Sequence, residues 1–454
     1  MSVNLTYLVI ISLLVMVFIA TRRIKSNENE YFVLNKTEKT FGLTMSFYAS
    51  GMGLWILTSP AEVAWYGLGY DIYGYALSAA TPFILIYIFG PRISRLLPDG
   101  ITLAQFVEKK YGTVAQKIVS VVAVIYMGAF LIAEFASISF LFESVSGVSG
   151  IVVSALVAAT TFLYLNKTGF KASYMTDKIQ GIGIILLLTL LFGLWFNQNS
   201  LNEISNLANL GGLNAFETYS LKSALAVVIA VTAAEIFSTG YWQRTFSAIN
   251  ELTIKKASVY SGLGVFVTIL LLGIAGAVGA GKGLETPTLS FIDQLNLNSL
   301  TVIVLISLAT LLVTSSVDTL ENAISSTISI DIIKKGSKEA NAITLVVIVL
   351  ALFASTTVTN IFTVFLIADL FATSLVFPAF YRIKKASKNM VLVVPFIGSL
   401  TSVFIYRYLF INLKENPGGV FVPTDLYGLA DLNTFAIALF SSVLITLVMD
   451  RFNK

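Results

Sequence analysis

Long apolar stretches alternate with short polar segments along the whole chain. A helix that crosses a bilayer needs roughly 17–25 mostly apolar residues, and its backbone must be hydrogen-bonded internally because lipid offers no partners. The pattern predicts thirteen such helices, numbered here as spans one to thirteen. In chain order they cover residues 5–21, 44–66, 75–97, 118–142, 151–165, 174–196, 221–248, 257–280, 300–329, 342–358, 362–383, 391–411 and 434–449. We therefore expect an all-α polytopic membrane protein.

Composition supports this architecture and excludes several others. Of the 454 residues, 56% are hydrophobic and 12% are charged, whereas soluble domains carry about 25% charged residues. The chain contains no cysteine and no histidine, which removes thiolate and imidazole metal ligands and the usual general base. Since no nucleophile–base pair can be recognised, an enzyme is not expected. The net charge of +4 is attributed to membrane topology and not to a nucleic-acid partner.

The basic residues fall almost entirely on one side of the predicted membrane. If the gaps between spans are numbered in order, all but four of the 29 Lys and Arg residues belong to odd-numbered gaps or the C-terminal tail. The exceptions are Lys222, Lys282, Arg407 and Lys414. Basic segments collect on the cytoplasmic side of a membrane. We therefore expect a multi-pass protein of the cell membrane, with its N-terminus outside the cell and its C-terminus in the cytoplasm. The longest external segments are then 197–220, 281–299 and 412–433.

Span two contains residues that interrupt a helix. Gly51, Gly53 and Pro60 lie within this apolar stretch, and both residue types weaken the helical hydrogen-bond ladder. Backbone carbonyls freed inside a membrane are tolerated only where they line a cavity, and there they are good ligands for a hard cation such as sodium. The alternative is a kinked helix that packs against its neighbours through small residues.

Span nine offers further oxygen ligands. Hydroxyl and amide side chains follow Ser315 and Ser316 at helical spacing, which predicts a polar stripe down one face. The two hydroxyls, with the carbonyl of Leu312 one turn earlier, would complete five oxygen ligands with carbonyls of span two. Hydrogen bonding between helices is the alternative explanation for this stripe.

Acidic residues inside spans indicate a solute site. A charge within a span costs several kcal/mol unless it is buried in protein or faces water. For Glu134 and Asp369, the sequence favours a role in helix packing and a role in function equally. Glu62 is either a solute contact or a hydrated residue at an outer gate. The candidate solute residues in spans two and seven are Trp55, Glu62, Glu235, Ser238 and Thr239. Two central acids favour a solute that carries amine, amide or hydroxyl groups.

Five short motifs in order resemble the sodium:solute symporter family, which includes sodium/proline and sodium/sugar transporters. Each motif is weak alone, but the resemblance covers nearly the whole chain. The motifs are Glu30-Tyr-Phe-Val-Leu34, Thr102-Leu-Ala-Gln-Phe106 with Lys110-Tyr-Gly112, Thr176-Asp-Lys-Ile-Gln180, Tyr241-Trp-Gln-Arg-Thr245 with Ala248, and Ser315-Ser316 with Ser325, Ser326 and Asp331. A weaker hint in the Tyr-Trp-Gln run is similar to the urea and polyamine branch.

The resemblance implies a leucine-transporter-type fold with a five-plus-five inverted repeat. Residues 1–40 would form an extra N-terminal helix and a cytoplasmic loop, and 41–200 the first repeat, spans two to six. Residues 201–388 would form the second repeat, spans seven to eleven, and 389–454 the last two helices. Interruptions in spans two and seven, each the first helix of its repeat, agree with this division, because paired interruptions are typical of secondary transporters.

The resemblance also implies a sodium site between spans two and nine. Its ligands would be three backbone carbonyls and two hydroxyls, from Ala49, Met52, Leu312, Ser315 and Ser316. Asp177 would stand beside the inner exit path for sodium. Gly51 departs from the family, because the sodium/proline members carry an aspartate there.

These features predict a symporter that imports a small polar organic solute by alternating access, with Na⁺ as coupling ion and no other cofactor. A proton-coupled transporter of the same fold would use an acid such as Asp318 in place of sodium. A sensor that kept the transporter shell would normally append a soluble signalling domain, and only a short tail follows span thirteen.

Overall fold

The computed structural model describes residues 3–34, 36–383, 385–411, 419–425 and 428–452, and most of them are α-helical. Residues 412–418 of the third predicted external segment lie outside this description. The α-helices are α1 (Val3–Arg22), α2 (Glu28–Phe32), α3 (Thr40–Gly51), α4 (Ser59–Leu96), α5 (Leu103–Tyr111), α6 (Thr113–Ser146), α7 (Gly150–Thr168), α8 (Phe170–Gln198), α9 (Leu201–Leu210), α10 (Thr218–Glu235), α11 (Thr239–Ser247), α12 (Glu251–Gly281), α13 (Ser299–Thr327), α14 (Ser337–Ser355), α15 (Ile361–Phe380), α16 (Met390–Phe410) and α17 (Leu432–Phe452).

Twelve of the described helices are long and apolar enough to cross a membrane. The sequence predicts thirteen spans, and the difference lies at span two. This segment is divided into α3, a single turn of 3-10 helix at Leu54–Leu57 and the beginning of α4, so none of its pieces is a long apolar helix by itself. Leu68, whose φ is +56°, then separates the first part of α4 from the part that corresponds to span three.

The interruption that the sequence predicts in span two is present. α3 ends at Gly51, and Met52 and Gly53 leave the helical conformation, with Gly53 fully extended at φ −85° and ψ −179°. Pro60 lies in the first turn of α4, where its missing N–H costs nothing because first-turn N–H groups have no intrahelical partner. The proline therefore starts a second helix instead of kinking one continuous helix.

Span seven is interrupted as well. α10 ends at Glu235 and α11 begins at Thr239, so three residues connect two helices that the hydropathy pattern joins into one. Ser238 is the N-cap of α11, with extended backbone, and the indole N–H of Trp242 donates to the carbonyl of Ile236 at 2.7 Å. That hydrogen bond satisfies one of the carbonyls freed by the interruption.

α13 is the central helix of the bundle. It packs against α3, α6, α7, α8 and α11, and nearly all of its side chains from Thr301 to Thr327 are buried. Its polar stripe therefore lies inside the protein and not against lipid. The last turn continues as a π-helix at Ile328–Ile333, where Asp331 accepts hydrogen bonds from Thr102 at 3.0 Å and Gln116 at 2.9 Å.

Two of the predicted external segments contain short helices. α9 lies in segment 197–220, capped by Ser200, whose hydroxyl accepts from the backbone N–H of Glu203 at 3.2 Å. Two turns of 3-10 helix, Pro287–Leu289 and Ile292–Gln294, lie in segment 281–299.

Ion pairs join the predicted cytoplasmic gaps to one another. At the opposite end, Arg407 pairs with Asp431, and Lys282 donates to Asn199. The odd-numbered gaps and the tail therefore share one end of the bundle, although the side of the membrane on which this end lies stays a prediction. The pairs at this end are Lys171–Glu30, Lys178–Glu38, Arg95–Glu251, Lys334–Glu108 and Arg382–Asp450.

Candidate solute and ion site

A small aromatic cavity of about 30 Å³ lies between α4, α6, α10 and α15. The edges and faces of its rings are in contact, with centroids 4.6 Å apart for Phe130 and Phe365 and 5.9 Å apart for Trp55 and Phe365. The lining residues are Trp55, Tyr75, Ser78, Ala79, Tyr126, Phe130, Val231, Glu235, Phe362, Phe365 and Asp369. No lysine or arginine is among them, so the cavity carries two acidic groups without a basic one.

The two acids of this cavity differ in their partners. The side chains of Tyr126 and Tyr241 lie close to the Glu235 carboxylate. Asp369 is buried on α15, and its Oδ2 atom has no hydrogen-bond partner among the described residues. A buried carboxylate oxygen without a partner is costly, and such an atom in a cavity is a feature of a ligand site.

A second small cavity, of about 20 Å³, lies between the first and the interruption of span two. The two share Tyr126, Phe130 and Glu235. The second is also lined by Ser50 and Gly51 at the end of α3, by Ser238 and Tyr241, and by Ser316, Thr319 and Leu320 of α13. The helix end and one hydroxyl of the predicted sodium site therefore border one space, which shares part of its wall with the acidic aromatic cavity.

Ser316 is tied to α6 and to the interruption of span two. Its hydroxyl donates to Oε1 of Glu134 at 3.0 Å, and Oε2 of the same carboxylate accepts from the backbone N–H of Leu54 at 2.8 Å. Glu134 and Ser316 are both buried. One carboxylate therefore links the hydroxyl of α13 to the first residue of the 3-10 turn.

Ser315 points into a buried ionic network. Its hydroxyl donates to Oδ1 of Asp177 at 2.9 Å, while Oδ2 accepts from Ser46 at 2.6 Å and from the guanidinium of Arg244 at 2.5 Å. Arg244 also donates to Ser46, and to Thr319 at 2.8 Å. This network joins α3, α8, α11 and α13 next to the predicted sodium ligand Ser315.

Four of the eleven sequence-predicted site residues line these cavities, and Ser316 is one of them. Trp55, Glu235 and Ser238 line them. Glu62 does not; it is buried, and its Oε1 accepts from the side chain of Asn360 at 3.0 Å, at the start of α15. Thr239 bonds to Thr327 of α13 at 2.7 Å and is not among the lining residues. The predicted ion ligands Ala49, Met52, Leu312, Ser315 and Ser316 are all buried.

Sequence reasoning missed two contributions to this region. Arg244 counts as a basic residue of a cytoplasmic gap, but it is fully buried and pairs with Asp177; its place in the Gln-Arg motif is the signal that marks it. The aromatic residues of α6 and α15 carry no sequence signal of their own, because apolar rings occur on every span. The structure also explains the glycine at position 51, because a Cβ atom there would lie 2.8 Å from the Tyr241 hydroxyl.

Asp318, the candidate proton carrier, lies in a separate polar cluster. Its carboxylate accepts hydrogen bonds from Tyr164 at 2.5 Å, Ser173 at 2.8 Å and Thr176 at 3.1 Å. It is buried and does not border the two cavities described above. Its hydrogen-bonding capacity is thus largely used by helix packing between α7, α8 and α13.

Comparison with known proteins gives one partial family match. A family model described as the Rhomboid domain matches residues 101–219. This is less than half of the chain, and it covers the bundle only from the loop before α5 to the start of α10. The match does not establish a family.

The curated relatives are transporters. The spermidine transporter DUR31 of Candida albicans is 24% identical over 441 residues, which is 93% of this chain and 84% of that protein. The probable urea active transporter 1 of Schizosaccharomyces pombe is 27% identical over 143 residues, which is 31% of this chain and 21% of that protein.

Solved transporters share the fold at low sequence identity. A Na⁺-coupled sialic acid symporter, in a substrate-bound outward-open state with a novel Na⁺ site, matches with a TM-score of 0.78, 14% identity and 98% coverage of each chain. MHP1, a nucleobase-cation-symport-1 family transporter in a closed conformation with bromovinylhydantoin bound, matches with a TM-score of 0.60, 13% identity and coverage of 93% of this chain and 95% of that one.

The relatives and the structural neighbours named here are transporters and not enzymes. The chain is a multi-pass membrane protein, with twelve apolar helices among the residues that the structure describes and a fold of the leucine-transporter type. These findings favour transport of a small molecule over catalysis. The five-plus-five repeat, the orientation and the coupling ion stay predictions.

Proposed function

We propose that the protein is a sodium-coupled symporter of the sodium:solute symporter class that imports a small organic cation, such as a polyamine, by alternating access. The main support for this proposal is a pair of adjoining cavities. One contains acids and aromatic rings, and the other is bordered by the end of α3 and the Ser316 side chain. A solute site and an ion site that share walls are what coupled transport requires, since each ligand must affect the conformation that binds the other.

The ion site rests on oxygen ligands at a broken helix. Sodium is a hard cation, and carbonyl and hydroxyl oxygens replace its hydration shell. The proposed ligands are the carbonyls of Ala49, Met52 and Leu312 and the hydroxyls of Ser315 and Ser316. Asp177 would lie on the inner path, where its pairing with Arg244 prevents an unpaired negative charge from retaining the departing ion.

The solute class rests on charge and aromatic faces. Glu235 and Asp369 would attract an ammonium group, and the faces of Trp55 and Phe365 add cation–π attraction of about 0.5–2 kcal/mol per ring. The absence of lysine and arginine from the lining leaves both carboxylates available for a cationic solute. The printed name of the Candida albicans relative, a spermidine transporter, agrees with this class.

Sodium and solute together would drive the conformational cycle. Sodium bound between α3 and α13 braces the interrupted span two, and the solute then completes the central site from Trp55 to Glu235. Each elementary charge that crosses gains about 2.3 kcal/mol per 100 mV, in addition to the sodium gradient. Coupling is maintained if the outer gate closes only when both sites are filled.

Urea is a second candidate solute, favoured by a different observation. The indole N–H of Trp55 has no hydrogen-bond partner among the described residues, and a carbonyl oxygen would satisfy it. The relative from Schizosaccharomyces pombe is named a probable urea active transporter. A neutral amide would, however, leave the two carboxylates of the cavity without a counter-charge.

Uptake into proteoliposomes tests the proposal. Radiolabelled spermidine should accumulate under an inward sodium gradient and not under an equal potassium gradient, and unlabelled putrescine should compete better than urea or glucose. Competition by urea alone would favour the second candidate. Equal uptake with sodium and potassium would contradict sodium coupling.

A further inference from the structure

Glu134 occupies the junction between the two proposed sites without lining either cavity. It comes from the middle of α6 and is fully buried. Its two oxygens reach in different directions, Oε1 to the hydroxyl of Ser316 and Oε2 to the backbone N–H of Leu54. Leu54 begins the 3-10 turn that also carries Trp55, a wall of the aromatic cavity. The carboxylate therefore touches one element from each site.

The interruption of span two is shaped around this carboxylate. A Cβ atom at Gly53 would lie 1.6 Å from Oε1 and 2.6 Å from Cδ of Glu134. Any side chain at this position would have to push the carboxylate away. Because φ at Gly53 is −85°, backbone conformation alone does not require glycine here. The space taken by Glu134, together with Cδ1 of Trp55 at 2.7 Å from the same Cβ position, is the physical reason for the glycine.

Sodium at Ser316 would act on Glu134 through the hydroxyl group. A cation binds the oxygen lone pair, and the O–H proton remains directed at the carboxylate. The bound charge polarises the hydroxyl, so its hydrogen bond to the carboxylate becomes stronger, as it does for partners of metal ligands in other proteins. A more firmly held carboxylate then fixes the N–H of Leu54 and, with it, the orientation of the 3-10 turn.

We propose that Glu134 is a positioning residue that transmits sodium occupancy at Ser316 to Trp55 in the solute cavity. This inference rests on the proposed function. The coupling is reciprocal, so sodium raises the affinity for the solute by the same factor by which the solute raises the affinity for sodium. If Glu134 only capped the 3-10 turn, its loss would weaken both ligands without changing that factor.

The Glu134→Gln variant separates these roles. Glutamine keeps the size and one carbonyl acceptor but removes the charge. Spermidine affinity of the purified protein is measured with saturating sodium and with potassium alone. In the wild type we expect sodium to raise the affinity by about 5- to 150-fold, the usual range of coupling between sites. In Glu134→Gln this ratio should approach one, with the potassium value and the ligand-free melting temperature close to wild type.

Two further variants complete the test. Glu143→Gln is the matched control, because Glu143 lies on the same helix, is exposed, and accepts the backbone N–H of Gly150 at 2.9 Å; it should keep the wild-type ratio. Gly53→Ala retains the carboxylate but displaces it, so it should lose the coupling too. If Glu134→Gln does not fold, the ratio of spermidine affinities measured for Gly53→Ala takes its place: a ratio near one supports the coupling role, and a wild-type ratio overturns it.

The outcomes distinguish the inference from the function on which it rests. A wild-type ratio in Glu134→Gln overturns the coupling role alone. Weaker binding of both ligands with an unchanged ratio also overturns it, in favour of simple capping. If sodium does not alter spermidine affinity in the wild type, the proposed function and the coupling role fall together.

Discussion

Glu235 and Asp369 are the acids on which the choice of solute depends, because both line a cavity without basic residues. Their helices, α10 and α15, lie far apart in sequence and next to each other in the bundle. A polyamine brings several ammonium groups, so two separated carboxylates suit it better than one. A neutral sugar would supply no counter-charge to either acid.

Neutralising either acid should weaken binding of a polyamine. For Glu235→Gln and Asp369→Asn we expect spermidine affinity to fall at least about tenfold, or about 1.4 kcal/mol, because one charge-assisted contact is lost. Sodium affinity without solute should change little. Equilibrium binding of radiolabelled spermidine measures this, with the exposed Glu143→Gln as control. Wild-type affinity in both variants would contradict the assignment of the cavity.

Polar side chains inside spans carry a stronger sequence signal than aromatic ones. Glu235 and Ser238 were predicted because polar groups are rare and expensive inside spans, and both line a cavity in the structure. Asp369 stood evenly between packing and function until the structure placed it in the cavity. Tyr126 and Phe365 could not be found, since the chain has 19 tyrosines and 33 phenylalanines and only helix packing decides which rings share a cavity.

At the scale of helices, α8 and α11 are joined by the buried pair of Asp177 and Arg244. The two side chains are almost completely inaccessible, and Ser46, Ser315 and Thr319 complete their hydrogen bonds. Such a pair contributes little net stability over apolar residues, but either partner alone is an uncompensated buried charge. The pair therefore fixes how the interrupted span seven meets α8.

Single and double replacements should differ sharply here. Arg244→Gln and Asp177→Asn should each destabilise the protein by roughly 3–5 kcal/mol, because an unpaired charge remains buried. The double variant should recover part of this loss. Melting temperature and monodispersity in detergent are the readouts. Arg95→Gln, which breaks the exposed pair with Glu251, should have little effect. A double variant as unstable as the sum of the singles would argue against direct pairing.

Helix interruptions were partly predictable from the sequence. Gly51, Gly53 and Pro60 identified the break in span two, and the structure confirms it at the level of backbone conformation. The break after Glu235 was suggested only by small residues and a glycine. The π-helix at Ile328–Ile333 has no local signal, because the contacts of Asp331 with Thr102 and Gln116 come from distant segments.

At the scale of the whole molecule, the distribution of basic residues predicted which loops lie together. Ion pairs such as Arg95–Glu251 and Lys334–Glu108 join odd-numbered gaps, in agreement with that distribution. The number of spans was harder to predict, since an interrupted span can be counted as one helix or two. Hydropathy sums over the break at residues 52–58, whereas the structure shows separate helices on either side.

Orientation can be tested because the chain contains no cysteine. Single cysteines introduced at exposed positions act as reporters: Glu285→Cys in a predicted external segment and Lys338→Cys in a predicted cytoplasmic gap. A membrane-impermeant maleimide should label the first in intact cells and the second only after permeabilisation. The reverse pattern would invert the assigned topology without affecting the fold.

The central claim is that the broken helix and the two hydroxyls of α13 bind sodium. The most direct measurement is the melting temperature of the purified protein as sodium replaces potassium at constant ionic strength. A ligand at a hundred times its Kd stabilises a protein by about 2.7 kcal/mol, so the wild type should melt at a higher temperature in sodium. Thr314→Val should respond equally, because the Thr314 hydroxyl bonds only within its own helix, to Thr310 at 2.6 Å. The Ser315→Ala/Ser316→Ala variant should lose the response. Equal melting in both salts, or an unchanged sodium response in that double variant, would contradict the account.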